Sequence, residues 1–294
     1  MFRNSQVVAN VTPKAGALEE RSGGAPHLLS EMLIGEKLYS EDSHGGRQFA
    51  IPEDPESRLI ALNDQHSAGA ERFSTLVSRL RYAQRRHSLR KLLVTSAIPG
   101  EGKTLMCTNI AITLAANLQR TLLIDADLRK PSVARLLNIR SDSGLSDWWE
   151  RREPVDTSLF RAKQVPLWVL PVGKELEKPA SLLQSSDFAE LLNKLSLQFD
   201  WVIVDSPPLV PFADAATLAT LCDATVLVTR RGWTPKKLLR DAVKSIDSKK
   251  IIATLLNDSP VKDQQYYQYY YKTPPYKALS SSLIGSGVET KSRE

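Results

Sequence analysis

The chain has 294 residues, 42% of them hydrophobic and 24% charged, with a formal net charge of +6 at pH 7, as in a soluble globular protein of one large or two small domains. No apolar run approaches the ~20 residues that span a bilayer, residues 1–30 lack a signal-peptide core, and no basic cluster forms a recognisable nucleic-acid motif. We therefore expect a cytoplasmic protein without a nucleic-acid partner.

The N-terminal part of the chain is polar. Residues 1–66 are rich in Ser, Gly, Pro and charge, which predicts a flexible N-terminal leader. Residues 68–85 then place Phe73, Leu76 and Leu80 at helical spacing, which predicts an amphipathic helix before the first strand. The arginines on and after this helix form either a solvated face or a surface for an acidic protein, an anionic lipid or a phosphorylated segment.

From Lys91 onward, apolar runs alternate with helical patterns. The runs are apolar throughout, so we expect strands buried on both faces of the sheet. This predicts an α/β fold over residues 67–260, with a doubly wound, mostly parallel sheet flanked by helices. The predicted strands are Lys91–Ser96, Thr121–Asp125, Leu167–Pro171, Trp201–Asp205, Ala224–Thr229 and Lys250–Leu256. The predicted helices are Lys103–Asn117, Ser132–Leu137, Pro179–Gln198, Asp214–Leu221 and Pro235–Ser248.

A glycine-containing loop joins the first of these strands to its helix. Glycines let backbone N–H groups surround phosphate oxygens, and the helix N-terminus adds positive charge. Lys103 supplies a cation and Thr104 a hydroxyl for Mg²⁺. Because Ala97 replaces the first glycine of G-x-x-x-x-G-K-[ST], the pattern alone fits a phosphate-binding loop or a basic turn. The predicted nucleotide-binding residues are Pro99, Gly100, Glu101, Gly102, Lys103, Thr104 and Leu105.

Carboxylates follow two other predicted strands. Asp125 and Asp127 come after one strand and Asp205 after another. A single such residue fits a helix cap equally well, but parallel strand ends meet at one edge, so the set predicts a Mg²⁺–nucleotide site. Lys103 would neutralise phosphate charge, and Asp125 would accept a proton from an attacking hydroxyl. The predicted catalytic residues are Lys103, Asp125 and Asp127, and the predicted metal ligands are Thr104, Asp127 and Asp205.

Three other polar residues near strand ends have open roles. Arg129 either stabilises transferred charge or pairs with an acid. Asn257 and Asp258 follow the last predicted strand and are candidate adenine contacts by position only.

The C-terminal residues 261–294 are predicted to form a flexible tail rich in tyrosine. Six of the chain's eight tyrosines fall within residues 264–276. They lack helical periodicity, and the prolines argue against a central strand. The cluster is therefore a sticky aromatic tail, an edge strand or a set of phosphate acceptors, each phosphate adding ~1.5–2 negative charges.

Taken together, five features resemble the bacterial tyrosine kinases of capsule and exopolysaccharide export systems: IPGEGKT, LLIDADLRKP, VIVDSPP, LPVGKELEKPASLL and the tyrosine cluster. The resemblance implies a P-loop fold related to partitioning and septum-site ATPases. It also implies ATP as substrate, Mg²⁺, and autophosphorylation of the tail between neighbouring copies in a ring. The acceptors it implies are Tyr266, Tyr267, Tyr269, Tyr270 and Tyr271, and the ATP–Mg²⁺ and catalytic set is Lys103, Thr104, Asp125, Asp127 and Asp205.

The resemblance further implies two kinds of partner. A separate transmembrane protein of the chain-length-regulator type would activate the kinase and recruit it to the inner face of the membrane, and a phosphotyrosine phosphatase would reverse the modification. The chain departs from the family because Glu71, Arg79 and Arg81 do not keep the E-x-x-R-x-x-R spacing of the ring-building helix. Leu105 also replaces a second hydroxyl after the loop lysine.

The sequence leaves two rival hypotheses. A partitioning-type ATPase switch would hydrolyse ATP without phosphorylating protein, but such proteins usually carry an extra lysine where this chain has Ile98, and they lack a tyrosine tail. A nucleotide-binding scaffold without catalysis is supported only by Ala97 and Leu105.

Overall fold

The computed structural model describes residues 47–54 and 57–258. The tyrosine cluster and residues 1–46 of the predicted leader lie outside the described residues. The strands are β1 Arg47–Phe49, β2 Lys91–Ser96, β3 Thr121–Asp125, β4 Phe160–Ala162, β5 Leu167–Leu170, β6 Trp201–Asp205, β7 Ala224–Arg230 and β8 Ile251–Asn257. The helices are α1 Ile60–Asn63, α2 Ala68–His87, α3 Lys103–Ala116, α4 Val133–Leu136, α5 Leu145–Arg151, α6 Pro179–Leu183, α7 Ser186–Gln198, α8 Asp214–Leu221 and α9 Lys236–Lys244. Two short 3₁₀ helices span Val155–Ser158 and Ser248–Lys250.

The strands of the described chain form one sheet in the order β1-β4-β5-β3-β6-β2-β7-β8. All neighbouring pairs are parallel except β4 and β5, which are antiparallel. Every residue of the central strands β3 and β6 is buried. The predicted α/β fold with a mostly parallel sheet is therefore confirmed.

The core has two main layers because successive strand residues point to opposite faces of the sheet. Leu92 and Val94 of β2 pack in one layer with residues of α2 and α3. Leu93, between them, packs in the other layer with residues of α5, α6 and α7. Covering helices on both faces explain why these strands are apolar throughout.

Two helix predictions differ in outcome. The predicted amphipathic helix is present as α2, which begins after Ser67, whose hydroxyl accepts the Ala70 N–H at 3.1 Å. The single helix predicted over Pro179–Gln198 is wrong, because the structure has two helices, α6 and α7. The Ser185 hydroxyl accepts the Phe188 N–H at 3.1 Å and so caps a new helix start.

The predicted flexible leader is wrong for the part of it that the structure describes, 47–54 and 57–66. Strand β1 pairs in parallel with β4, and the Gln164 side chain bonds both the N–H and the carbonyl of Ile51, each at 3.1 Å. Ile51 and Leu59 are 1% and 0% exposed in the layer beneath α2. The segment is ordered because it supplies apolar side chains to the core, which a three-residue strand does not reveal in sequence.

This packing makes a measurable prediction at Leu59. We expect Leu59→Ala to lower the free energy of unfolding by about 2–5 kcal/mol, since it leaves a cavity in the core. Leu197→Ala is the matched control, because Leu197 is 76% exposed on α7, and its effect should stay within about 0.5 kcal/mol. Urea unfolding measures both, and equally small effects would show that residues before α2 do not stabilise the fold.

Among the described residues, none of the helices combines the length and apolar character that a bilayer crossing requires.

Candidate active site

The loop between β2 and α3 has the backbone shape of a phosphate cradle. Gly100 and Gly102 have φ values of 84° and 87°, in the left-handed region that favours glycine. Gly102 directly precedes α3, so the free N–H groups of the first helical turn face the loop. Leu105 is partly buried and packs against the core. The predicted nucleotide-binding residues thus occupy one turn of chain and the start of one helix.

Glu101 fastens this loop from within. Its carboxylate is completely buried, accepts the Ile98 N–H at 2.9 Å, and also accepts the hydroxyl of Thr234. The Asn257 amide donates to the Glu101 carbonyl at 2.9 Å. The sequence showed Glu101 as a loop residue, but it gave no signal for these partners, which come from distant parts of the chain. The buried carboxylate supports the loop and leaves only its backbone for a ligand.

Lys103 and Asp127 meet at the start of α3. The ammonium nitrogen lies 2.8 Å from Asp127 Oδ2, and the two side chains are 14% and 4% exposed. Burial lowers the pKa of the Lys103 ammonium. The nearby carboxylates of Asp205, Asp127 and Asp125 more than offset burial, so its net pKa is raised. The lysine is therefore charged at neutral pH and available to bind phosphate.

Asp125 is held by backbone N–H groups. Its Oδ2 accepts from Ser132 and Val133, both at 3.0 Å, and Oδ1 accepts from Asp127 at 3.2 Å. It therefore caps the start of α4, the capping role that a lone aspartate also allowed. Burial raises the pKa of Asp125 to about 6, although the Val133 and Ser132 N–H groups favour its charged form.

Asp205 differs from the other two aspartates in its hydrogen bonding. It ends β6 directly opposite Asp125 in the strand register and is completely buried. Neither of its oxygens has a hydrogen-bond partner among the described residues. Burial raises its pKa to about 8, Lys103 opposes the rise and Asp125 adds to it. The Thr104 side chain lies near enough to Asp205 to favour the charged form of that carboxyl group. The two side chains do not, however, have the geometry of a hydrogen bond.

These groups fit a magnesium ion. Buried carboxylate oxygens without partners are the ligands that Mg²⁺ prefers, and it usually takes one or two of them together with substrate phosphates and water. The Thr104 hydroxyl lies beside them and accepts the Ser132 hydroxyl at 3.1 Å. No group of three His, Cys, Asp or Glu residues in the described chain is arranged to hold a metal alone. A Mg²⁺ here would therefore need ligands from its nucleotide.

The chain is similar to known proteins that share this kind of site. A ParA family model, described as NUBPL iron-transfer P-loop NTPase, matches residues 88–250. Tyrosine-protein kinase YwqD of Bacillus subtilis (strain 168) is 30% identical over 214 residues, covering 72% of this chain and 90% of that protein. The chain belongs to the bacterial tyrosine kinase family.

Two further similarities agree with this membership. Tyrosine-protein kinase CpsD of Streptococcus pneumoniae serotype 4 is 32% identical over 181 residues, covering 60% of this chain and 80% of that protein. A solved structure described as the chimerical protein CapA2B2 has a TM-score of 0.66 and 25% identity, covering 73% of this chain and 94% of that one. This bacterial tyrosine kinase is thus a protein-tyrosine kinase on a nucleotide-binding P-loop fold, as the sequence motifs predicted.

Other polar residues of the kinase are engaged within the chain. Arg129 pairs with Asp214, with Nε 2.6 Å from Oδ2, and its guanidinium lies 4.4 Å from the Phe212 ring centroid. Of its two predicted roles, pairing with an acid is the one seen. The Asn257 oxygen accepts the Asp258 N–H at 2.8 Å, so both ends of this amide are bonded internally. A contact of Asn257 or Asp258 with adenine stays a prediction.

Proposed function

We propose that this kinase transfers the γ-phosphate of ATP to Tyr266, Tyr267, Tyr269, Tyr270 and Tyr271 of a neighbouring copy and thereby regulates exopolysaccharide or capsule synthesis or export. The observation that carries the proposal is the buried Asp205, whose oxygens have no hydrogen-bond partner within residues 47–54 and 57–258 and lie at the strand edge that also holds the Lys103–Asp127 pair. The family membership supports the choice of tyrosine as the acceptor.

We assign the roles from charge and bonding. Thr104, Asp127 and Asp205 would hold Mg²⁺, which supplies charge neutralisation on the phosphates. Lys103 binds phosphate oxygens and stabilises the charge that develops there. Asp125 accepts the proton of the attacking phenol, since a pKa of about 6 leaves it largely ionised at neutral pH yet basic enough to take a proton. Most of the rate enhancement would come from positioning and electrostatics.

The partners follow from the resemblance. We propose that neighbouring copies form a ring-like homo-oligomer, that a separate transmembrane chain-length-regulator-type protein activates the kinase and recruits it to the inner face of the membrane, and that a phosphotyrosine phosphatase resets the tail. Transfer between copies is the part of this proposal that a mixing experiment tests directly.

The test mixes two complementary variants with Mg-ATP. One carries Lys103→Met and keeps its tail, and the other keeps Lys103 but has Phe at the five proposed acceptors. Neither should gain phosphotyrosine alone, whereas the mixture should gain it on the Lys103→Met chain, as mapped by mass spectrometry. Lys178→Met, at an exposed lysine outside the site, is the matched control and should label like the parent protein.

Two results would contradict the proposal. An unlabelled mixture beside a labelled parent would mean that transfer occurs within one chain. Phosphotyrosine in the parent at positions other than the five would mean that the acceptors are wrong.

A further inference from the structure

The segment from the end of β7 through α9 presents an exposed surface that the kinase chemistry does not use. It consists of Trp233 and five exposed cations, namely Arg231, Lys236, Lys237, Arg240 and Lys244. We call this set the basic α9 surface. Trp233 is 56% exposed. In the described part of the chain, none of the five cations has an ion-pair partner.

Helix α9 is attached to the core through its apolar side. Leu239 and Val243 of α9 pack against a buried cluster that includes Leu209, Ala215 and Ala242. The apolar side of the helix is therefore already covered, and its charged side is left to solvent. Asp241 is the one acid on α9, so the surface keeps a strong net positive charge.

Trp233 is held in place beside the phosphate loop. The Arg230 guanidinium lies 5.3 Å from its ring centroid and also pairs with Asp258 at 3.1 Å. Arg230 Nη1 donates to the Gly100 carbonyl at 3.4 Å. The indole is thus oriented by a paired arginine and not buried by the core, although a large aromatic ring gains from leaving water.

We propose that the basic α9 surface binds an anionic lipid bilayer, with Trp233 in the headgroup layer and the five cations along the lipid surface. Tryptophan favours the membrane interface, and clustered lysines and arginines on a helix are attracted to anionic headgroups. Three of the five cations are lysines, which act as point charges and suit a diffuse anionic surface better than the directed pairing of an acidic peptide. The inference does not depend on transfer to the tail.

The experiment measures sedimentation of the full chain with vesicles. The parent protein should bind phosphatidylcholine vesicles that contain phosphatidylglycerol, should not bind phosphatidylcholine alone, and should be released by high salt. Lys236→Gln with Lys237→Gln should weaken partitioning roughly 30-fold, since each cation near an anionic surface contributes about one kcal/mol. In Trp233→Phe, the blue shift of tryptophan emission on vesicles should be lost.

A second exposed basic surface supplies the control. Arg85 and Arg86 lie at the end of α2, next to Tyr82, which is 61% exposed. Arg85→Gln with Arg86→Gln removes the same charge, and we expect it to bind vesicles nearly as the parent does. Equal losses in both double variants would show a response to net charge alone and overturn the proposal. Absence of parent binding to the anionic vesicles, or displacement of the bound protein by duplex DNA at equal charge, would overturn it as well.

Discussion

Asp205→Asn is expected to stabilise the nucleotide-free protein while abolishing phosphotyrosine formation. The carboxylate is completely buried, its oxygens have no hydrogen-bond partner among the described residues, and its pKa is raised to about 8, so the fold disfavours its charged form at neutral pH. A neutral amide of the same shape removes this penalty and can donate to a neighbouring carboxylate. We expect a gain of about 2–4 kcal/mol in the free energy of unfolding at pH 7. Activity is lost because the amide is a poor magnesium ligand.

The same residue sets the pH dependence of stability. A folded-state pKa of about 8, above an unfolded value of about 4, means that the folded protein keeps a proton that the unfolded chain releases. Stability of the nucleotide-free parent should therefore fall as pH rises from about 4 to about 8. Asp125, with a pKa of about 6, contributes the same sign only up to about pH 6. In Asp205→Asn the decline above pH 6 should disappear.

Thermal melts in a chelating buffer across this pH range measure the effect. Asp223→Asn is a suitable control, because that carboxylate accepts the Arg90 and Lys91 N–H groups at 2.9 and 2.8 Å, so losing its charge should bring no gain in stability. A lower melting temperature for Asp205→Asn than for the parent at pH 7, or parent stability that rises with pH, would show that the folded protein does not hold a proton on Asp205.

A feature of the site could be predicted from the sequence when residues close together in the chain determine it. Continuous apolar runs defined β2, β3 and β6 with the bounds that the structure has, because strands buried on both faces need apolar residues at every position. The order of these strands along one parallel edge then placed Asp125 opposite Asp205 and brought Lys103 to Asp127. That juxtaposition follows from topology alone.

The remaining features depend on contacts between distant parts of the chain. Strands β1 and β4 have three residues each, too few for a periodic pattern, and they are held by pairing with each other. The Glu101 carboxylate is held by Thr234, which lies 133 residues further along. Nothing in the loop sequence indicates that an acid there is buried, because its partners are visible only after the sheet has formed.

Gly102→Ala should weaken ATP binding by about 100-fold, because two effects combine at this position. A side chain at a φ of 87° costs about 1 kcal/mol in backbone strain. A Cβ there would also overlap the Asn257 amide nitrogen, which holds the Glu101 carbonyl. Gly232→Ala separates the effects, since Gly232 has a φ of 68° with open space where its Cβ would lie. That variant should lose about 1 kcal/mol of stability and keep its ATP affinity.

The Asn257→Ala background tests whether the Asn257 amide is the group that the new side chain at position 102 would overlap. Asn257→Ala removes the amide that the new methyl would meet, so Gly102→Ala should lose less affinity in that background than in the parent. Calorimetric titration with a non-hydrolysable ATP analogue and Mg²⁺ gives the four affinities of this cycle. If Gly102→Ala loses the same affinity in both backgrounds, the loop is not limited by its contact with Asn257. A smaller loss would mean that the closeness of β8 to the loop, and not glycine flexibility alone, requires a residue without a side chain at position 102.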